Sequence, residues 1–128
     1  TGGRMMAKRL ILAAVACLAA AAVQAHHSFA AEFLEDQTGT IEGVVTEVWF
    51  RNPHVRYYVE ITLEDGSKEA WDVRTSSPTQ LTRRGWTPDT IKEGEEVKVH
   101  GHLCRDGRKL LSLISIELAD GTKLGVNY

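Results

Sequence analysis

Apolar and polar residues alternate along residues 54–63 of the chain. The apolar positions of this segment are Val55, Tyr57, Val59, Ile61 and Leu63. A period of two is typical of a strand that buries one face, so we expect His54, Arg56 and Tyr58 on the outward face. A second, β-branched run covers residues 41–50 and contains Gly43, which suggests a bend or bulge of the kind that strongly coiled barrels need.

Three Asp-Gly pairs separate the apolar runs of the second half of the chain. They are Asp65-Gly66, Asp106-Gly107 and Asp120-Gly121. An Asp-Gly pair between two such runs is a strong signal for a tight hairpin turn. The sequence therefore predicts three hairpins, which pair residues 55–63 with 67–74, residues 95–104 with 109–118, and the last run with a short tail strand.

One short helix is predicted between the third and fourth strands. Ser77 is the expected N-cap, Pro78 fits the first helical position and Gln80 completes a capping box, while Gly85 is placed to end the helix. Three strands, a helix, two strands and a tail predict a mainly-β fold, a small five-stranded antiparallel barrel of the oligonucleotide/oligosaccharide-binding (OB) type. The expected interior comprises Val55, Tyr57, Val59, Ile61, Trp71, Val73, Val97, Val99 and Leu103.

The first part of the chain has the pattern of a secretory signal peptide. Lys8 and Arg9 form a short basic region, and residues 10–23 form an uncharged apolar run. This run is shorter than the about 20 apolar residues that span a bilayer, and it ends at a small-x-small site, Val23-Gln24-Ala25. Cleavage after Ala25 is therefore expected, and it predicts a periplasmic or secreted bacterial protein with no transmembrane segment after processing.

Cleavage at this site would divide the chain into three parts. Residues 1–25 are the signal peptide with the upstream residues 1–4, residues 26–37 are an N-terminal arm, and residues 38–128 are the OB-like barrel. The mature chain would then begin at His26. A lipoprotein signal ending at Cys17 fits less well, because apolar sequence continues past that cysteine.

The charge of the predicted mature chain is acidic. All 17 acidic residues follow Ala25 and three of the 15 basic residues precede it, which leaves a formal net charge of −5. Binders of nucleic acid or anionic membranes use an excess of basic surface, so this charge predicts no nucleic-acid partner. Cys104 is the single cysteine after the cleavage site, so no internal disulfide can form, and burial in a strand is expected.

Four segments of the sequence carry a resemblance to a known family. They are AHHSFAAEF, WFRNPHVRYYVEI, SSPTQLTRRGW and GEEVKVHGHLCRDG, and they span nearly all of residues 25–107. Together they resemble a family of small exported bacterial proteins of uncharacterised function, a domain of unknown function. The resemblance implies an exported β-barrel domain with no established activity. The matching motif positions are His26, His27, Asn52, Pro53, His54, Ser77, Pro78, Gly85 and Trp86.

The two histidines behind the cleavage site are the first candidate metal ligands. A terminal His26 offers both its α-amine and its imidazole to one cation, which closes a six-membered chelate. A third nitrogen would give a planar array suited to Cu(II), which stands at the top of the divalent affinity order. His54 is the expected third ligand, because it begins the outward face of its strand, and His27 is a third or outer candidate. Copper is therefore the candidate cofactor.

His100 and His102 form a second and weaker metal candidate. They share one face of the expected fourth strand, but Cys104 lies about 13 Å beyond His100 at strand spacing, so the three side chains do not suit one ion. The family resemblance adds no support here, because its members usually have an aromatic and small residues on this strand.

The aromatic residues raise another possibility, a stacking surface for sugars or bases of the kind that OB barrels use. Alternation places about half of them in the core and leaves Tyr58 with one or two others outside. The set comprises Trp49, Phe50, Tyr57, Tyr58 and Trp71.

The sequence thus predicts an exported small binding protein that is not an enzyme. Its expected partner is a metal ion, a small ligand or a periplasmic protein, with copper bound through the mature N-terminal histidine. The alternative is a metal-free ligand-binding or protein-interaction barrel in which His26 and His27 are incidental, since exposed termini are usually frayed.

Overall fold

The computed structural model describes residues 2–126, apart from the side chains of residues 12, 22 and 25–27. The described chain divides into two units, one that ends at Glu32 and one that begins at Phe33. The first unit is helix α1 (Gly2–Glu32), whose many alanines and leucines have high helix propensity. None of the helices within residues 2–126 is long and apolar enough to cross a membrane.

The second unit is a closed β-sheet of six strands with one helix. Its elements are β1 (Phe33–Trp49), β2 (Arg56–Thr62), β3 (Lys68–Arg74), α2 (Pro78–Arg83), β4 (Glu96–Cys104), β5 (Leu110–Leu118) and β6 (Lys123–Gly125). The strands follow the order β3-β2-β1-β4-β5-β6, and a pairing between β3 and β5 closes the ring. This confirms the predicted OB-like barrel, with the tail strand β6 at its edge.

The closing pair is the one departure from the expected antiparallel arrangement. Asp72 to Arg74 of β3 run parallel to Leu110 to Ser112 of β5. The two strands are separated along the chain by α2 and β4, and such a crossover can bring strands together in parallel, whereas a tight hairpin cannot. The Asp-Gly turns could therefore predict the hairpin pairs but not this one.

Strand β1 forms the corner of the barrel because it pairs with two neighbours in succession. Thr38 to Val44 pair with β4, and Val44 to Trp49 pair with β2. Gly43 lies beside this change of partner, and the register shift itself falls between Val45 and Glu47. The strand also begins at Phe33, so part of the segment 26–37 that the sequence assigns to an arm belongs to β1.

The core contains the residues that the alternating pattern places inside. Six of the nine predicted interior residues are buried, namely Val55, Tyr57, Val59, Val73, Val97 and Val99. The other three, Ile61, Trp71 and Leu103, are partly buried and pack against this core. The outward face is also as predicted, since His54 is exposed and Arg56 and Tyr58 are half-buried. Each Asp-Gly turn has its glycine at positive φ, as a tight turn requires.

Helix α2 has the predicted capping box. The Ser77 hydroxyl accepts a hydrogen bond from the Gln80 backbone amide, and the Gln80 side chain accepts one from the Ser77 amide. The helix buries Leu81 completely. The capping box therefore stabilises the start of the helix that carries this leucine.

Replacing Ser77 with alanine is expected to lower the free energy of unfolding by about 1 kcal/mol, because the Gln80 backbone amide loses the hydroxyl that accepts its hydrogen bond. Urea unfolding followed by circular dichroism measures this change. Thr79→Ala, at an exposed position of the same helix, is the control and should lose no stability. If both variants unfold at the same urea concentration, the cap does not stabilise the barrel.

Candidate functional site

His54 is held in a fixed orientation at the end of the loop between β1 and β2. This loop, residues 50–55, contains a cis peptide bond between Asn52 and Pro53. The Nδ1 atom of His54 lies 2.9 Å from the backbone carbonyl oxygen of Thr75. A carbonyl oxygen can only accept, so Nδ1 carries the proton in a neutral ring and Nε2 keeps its lone pair. Metal-binding histidines are commonly oriented by this kind of bond.

Phe33, the first residue of β1, contacts the residue that precedes Thr75. The guanidinium carbon of Arg74 lies 5.7 Å from the centre of the Phe33 ring, and Thr75 follows Arg74 directly.

The side chains of His26 and His27 lie outside the described residues. Their backbone is part of α1. The terminal chelate accordingly stays a prediction from the sequence, and the structure contributes the placement of His54 and of the strand that follows.

His100 and His102 both point outward from β4 but bind to different segments. The Nδ1 of His100 lies 3.0 Å from the Thr40 hydroxyl, whereas the Nδ1 of His102 lies 3.1 Å from the carbonyl oxygen of Leu34. The buried Gly101 separates them. Among the side chains that the structure describes, no three His, Cys, Asp or Glu groups come together in a way that could hold a metal ion.

Cys104 is buried at the end of β4, as the sequence predicts. Its thiol donates a hydrogen bond of 3.1 Å to a carboxylate oxygen of Asp106. This bond, followed by one from the Arg108 backbone amide, lowers the pKa of Asp106 below its usual value. Cys104 therefore helps to fix the Asp106-Gly107 turn.

A cluster of two rings and a guanidinium lies where β1 ends and β2 begins, and we refer to Trp49, Arg51 and Tyr58 as the stacking cluster. The Trp49 and Tyr58 rings meet edge to face with centroids 5.9 Å apart. The Arg51 guanidinium lies 4.4 Å above the Trp49 ring, which is a cation–π contact. The indole N–H of Trp49 donates to a carboxylate oxygen of Glu47. The sequence indicates Tyr58 as an outward aromatic but gives no sign of the Arg51 contact, which depends on the path of the loop.

Basic residues concentrate at the same end of the barrel. They lie on the β1–β2 loop, at the paired ends of β2 and β3, and on the turn between β4 and β5, and they are Arg51, Arg56, Arg74, Arg105, Arg108 and Lys109. Arg56, Arg108 and Lys109 form ion pairs with Asp72, Asp106 and Glu69. Glutamates line an open groove elsewhere on the barrel, where Glu42, Glu60, Glu96 and Glu117 surround Lys98. This end of the barrel therefore carries charges of both signs, whereas the groove is lined by four glutamates and one lysine.

A family model matches residues 13–111 of the chain, and its description is a family of unknown function (DUF6152). No curated protein matches the sequence. This match confirms the resemblance inferred from the sequence, which is to a family of uncharacterised function.

The fold is similar to that of solved single-stranded DNA binding proteins. Two crystal forms of the mitochondrial protein Rim1 from S. cerevisiae both have a TM-score of 0.51. One form is 15% identical and the match covers 67% of this chain and 96% of that one, and the other is 14% identical with 71% and 98% covered. The N-terminal domain of PriB from Thermoanaerobacter tencongensis has a TM-score of 0.49 at 20% identity, with 66% and 98% covered. At such identities the likeness establishes the OB fold alone.

The expectation of no nucleic-acid partner is wrong. It rested on a net charge of −5, yet the fold is shared with proteins described as binding single-stranded DNA. A net charge averages over the whole surface, whereas recognition depends on the local field. The acidic composition therefore gives no ground for excluding nucleic acid.

Proposed function

We propose a copper-binding role for this chain, which belongs to the family of unknown function DUF6152. In this proposal the protein is exported, is cleaved after Ala25, and binds Cu(II) through the new N-terminus at His26 together with His54. It acts as a binding protein and not as an enzyme. The observation that carries the proposal is the fixed imidazole of His54.

The proposed site consists of three nitrogen ligands. His26 supplies its α-amine and one imidazole nitrogen, and His54 supplies Nε2, which points away from the hydrogen bond to Thr75. A planar set of nitrogen donors favours Cu(II) over the other common divalent ions. His27 is adjacent to the chelate and is a further candidate for an outer position.

Two features of the barrel support this arrangement. The bond from His54 Nδ1 to the Thr75 carbonyl fixes both the tautomer and the ring plane, so little freedom is lost when a metal binds. The seven residues from His26 to Glu32 separate the proposed N-terminal ligands from β1 and span at most about 23 Å when extended. Export is supported by the basic, apolar and small-residue pattern that ends at Ala25.

Processing is the first expectation to test. N-terminal sequencing of the protein recovered from the periplasm should begin at His26. A start at Gln24 or Ser28, or an acylated Cys17, would remove the terminal amine of His26 from any site and would end the proposal.

Copper affinity is the second test. The chain that begins at His26 should bind Cu(II) at least about tenfold more tightly than the same chain with one glycine added before His26, because the added residue converts the α-amine into an amide. Isothermal titration with a competing chelator measures both constants. The extended protein keeps every side chain, so the difference between the two constants measures the contribution of the His26 α-amine to Cu(II) binding.

The role of His54 has a matched control on the same barrel. His54→Ala should weaken Cu(II) binding by about tenfold or more, while His100→Ala, which also removes an outward imidazole with a side-chain partner, should not change it. Affinity should fall as the pH drops through the range of imidazole and α-amine, because protons compete for the same nitrogens. Equal affinities of the cleaved and extended chains would show that the α-amine of His26 is not a ligand and that the proposed chelate does not form.

A further inference from the structure

We propose that the stacking cluster of Trp49, Arg51 and Tyr58 is a binding site for the bases and phosphates of a single-stranded nucleic acid. The proposal rests on these side chains and their surroundings, and it is independent of copper binding.

The rings of the cluster are held in place before any ligand binds. Trp49 is fixed by three contacts, since its N–H donates to Glu47, its ring meets Tyr58 at 75°, and Arg51 lies over its face. Trp49 and Tyr58 are nevertheless half exposed on the outside of the barrel. Half-exposed aromatic rings with restricted motion lose little entropy when a planar group stacks against them.

The charge of Arg51 has no carboxylate partner among the residues that the structure describes. Arg51 is exposed, and its guanidinium carbon lies 4.4 Å from the centre of the Trp49 ring. The N–H groups of a guanidinium can donate two hydrogen bonds to a phosphate, and its plane can stack with a base.

Exposed polar side chains lie next to Arg51 along the β1–β2 loop. Asn52 and His54 follow Arg51 on the loop and are both exposed. On the other side, Arg56 is paired with Asp72 and Lys109 with Glu69, so Arg51 is the cation that the cluster offers to a phosphate.

The two rings of the cluster and the charge of Arg51 together favour one class of ligand over others. An acidic peptide would use Arg51 but would gain nothing from the rings, and a neutral sugar would use the rings but not the charge. An unpaired base with its phosphate uses both, and duplex DNA does not present its base faces for stacking. The chemistry of the cluster therefore favours a single strand.

The test is fluorescence anisotropy of a labelled oligothymidylate of about ten nucleotides, titrated with the chain that begins at His26 in low salt and EDTA. We expect saturable binding that weakens as salt is raised, because counterions compete for the phosphates. Arg51→Gln and Tyr58→Leu should each reduce the affinity by about tenfold. Arg83→Gln, which removes one exposed arginine from α2, is the control for net charge and should leave the affinity within twofold.

Each outcome decides the proposal. Affinity for oligothymidylate well above that for polyglutamate and for duplex DNA, with loss in Arg51→Gln but not in Arg83→Gln, supports it. Absence of binding overturns it. Equal binding of polyglutamate would show that only charge is recognised, and equal losses in the two arginine variants would show that the cluster is not the site. Tyr58→Leu provides a second check at a residue outside the loop.

Discussion

Replacing Gly43 with alanine is expected to destabilise the barrel by about 3 kcal/mol or more. A Cβ atom at this position would lie 2.2 Å from the backbone carbonyl oxygen of Glu60 and 2.9 Å from its carbonyl carbon. Neither atom can rotate away, because Glu60 is held in the ladder between β1 and β2. Overpacking of this kind typically costs about 1–3 kcal/mol, and contact with backbone places the change at or above the upper end. Urea unfolding measures the loss directly.

Two other strand glycines give matched controls for this substitution. Gly125→Ala would place its Cβ 3.6 Å from the nearest carbonyl oxygen, which is an ordinary contact, and Gly39→Ala would meet only the flexible Leu103 side chain. Both should lose much less stability than Gly43→Ala. For a domain of this size about 1 kcal/mol corresponds to roughly 4–8 °C in Tm, so the differences are large enough for thermal melts. Similar melting temperatures for all three variants would mean that β1 and β2 can separate at Gly43 without penalty.

The reason why Gly43 matters illustrates what the sequence could and could not predict about the fold. A glycine within a β-branched run indicated an unusual position, and the alternation from Val55 onward correctly predicted which face is buried. The turn glycines and the capping box were also predictable, because their chemistry is local. The closing pair of β3 and β5 and the start of β1 at Phe33 were not, because they depend on contacts between segments far apart in the chain.

The same distinction applies to the candidate sites. Alternation correctly placed His54 on the outward face, but its hydrogen bond to Thr75 joins residues 21 positions apart. The Arg51 contact with Trp49 depends on how the β1–β2 loop turns back, which residue types alone do not determine. The net charge gave no basis for excluding a nucleic-acid partner, because it averages over the whole surface. Local patterns therefore gave the strands and faces, whereas the arrangement of charges required the folded chain.

Replacing Tyr57 with phenylalanine is expected to stabilise the protein, by about 1 kcal/mol at neutral pH. Tyr57 is completely buried, and its hydroxyl has no hydrogen-bond partner among the described residues. A buried donor without a partner costs about 1–3 kcal/mol, and phenylalanine removes it while keeping the ring that packs near Trp86, with centroids 6.4 Å apart. The small space left by the oxygen offsets part of the gain.

The advantage of Tyr57→Phe should increase in alkaline solution. Burial raises the pKa of Tyr57 well above its ordinary value of about 10, because the charged phenolate cannot be solvated in the core. The folded state then keeps its proton while the unfolded state loses it, so the stability that is fully present below about pH 10 declines as the pH rises towards the folded pKa. Each pH unit in this window should add about 1.4 kcal/mol to the difference between the variant and the original protein.

Urea unfolding of the two proteins between pH 7 and about pH 12 measures this difference. Tyr58→Phe, which removes a hydroxyl from the half-exposed neighbouring ring, is the control at neutral pH and should change the stability by less than about 0.5 kcal/mol. A loss of stability in Tyr57→Phe at pH 7 would show that the hydroxyl has a partner in solution. A constant difference across the alkaline range would show that the phenolate of Tyr57 forms in the folded barrel as readily as in the unfolded chain.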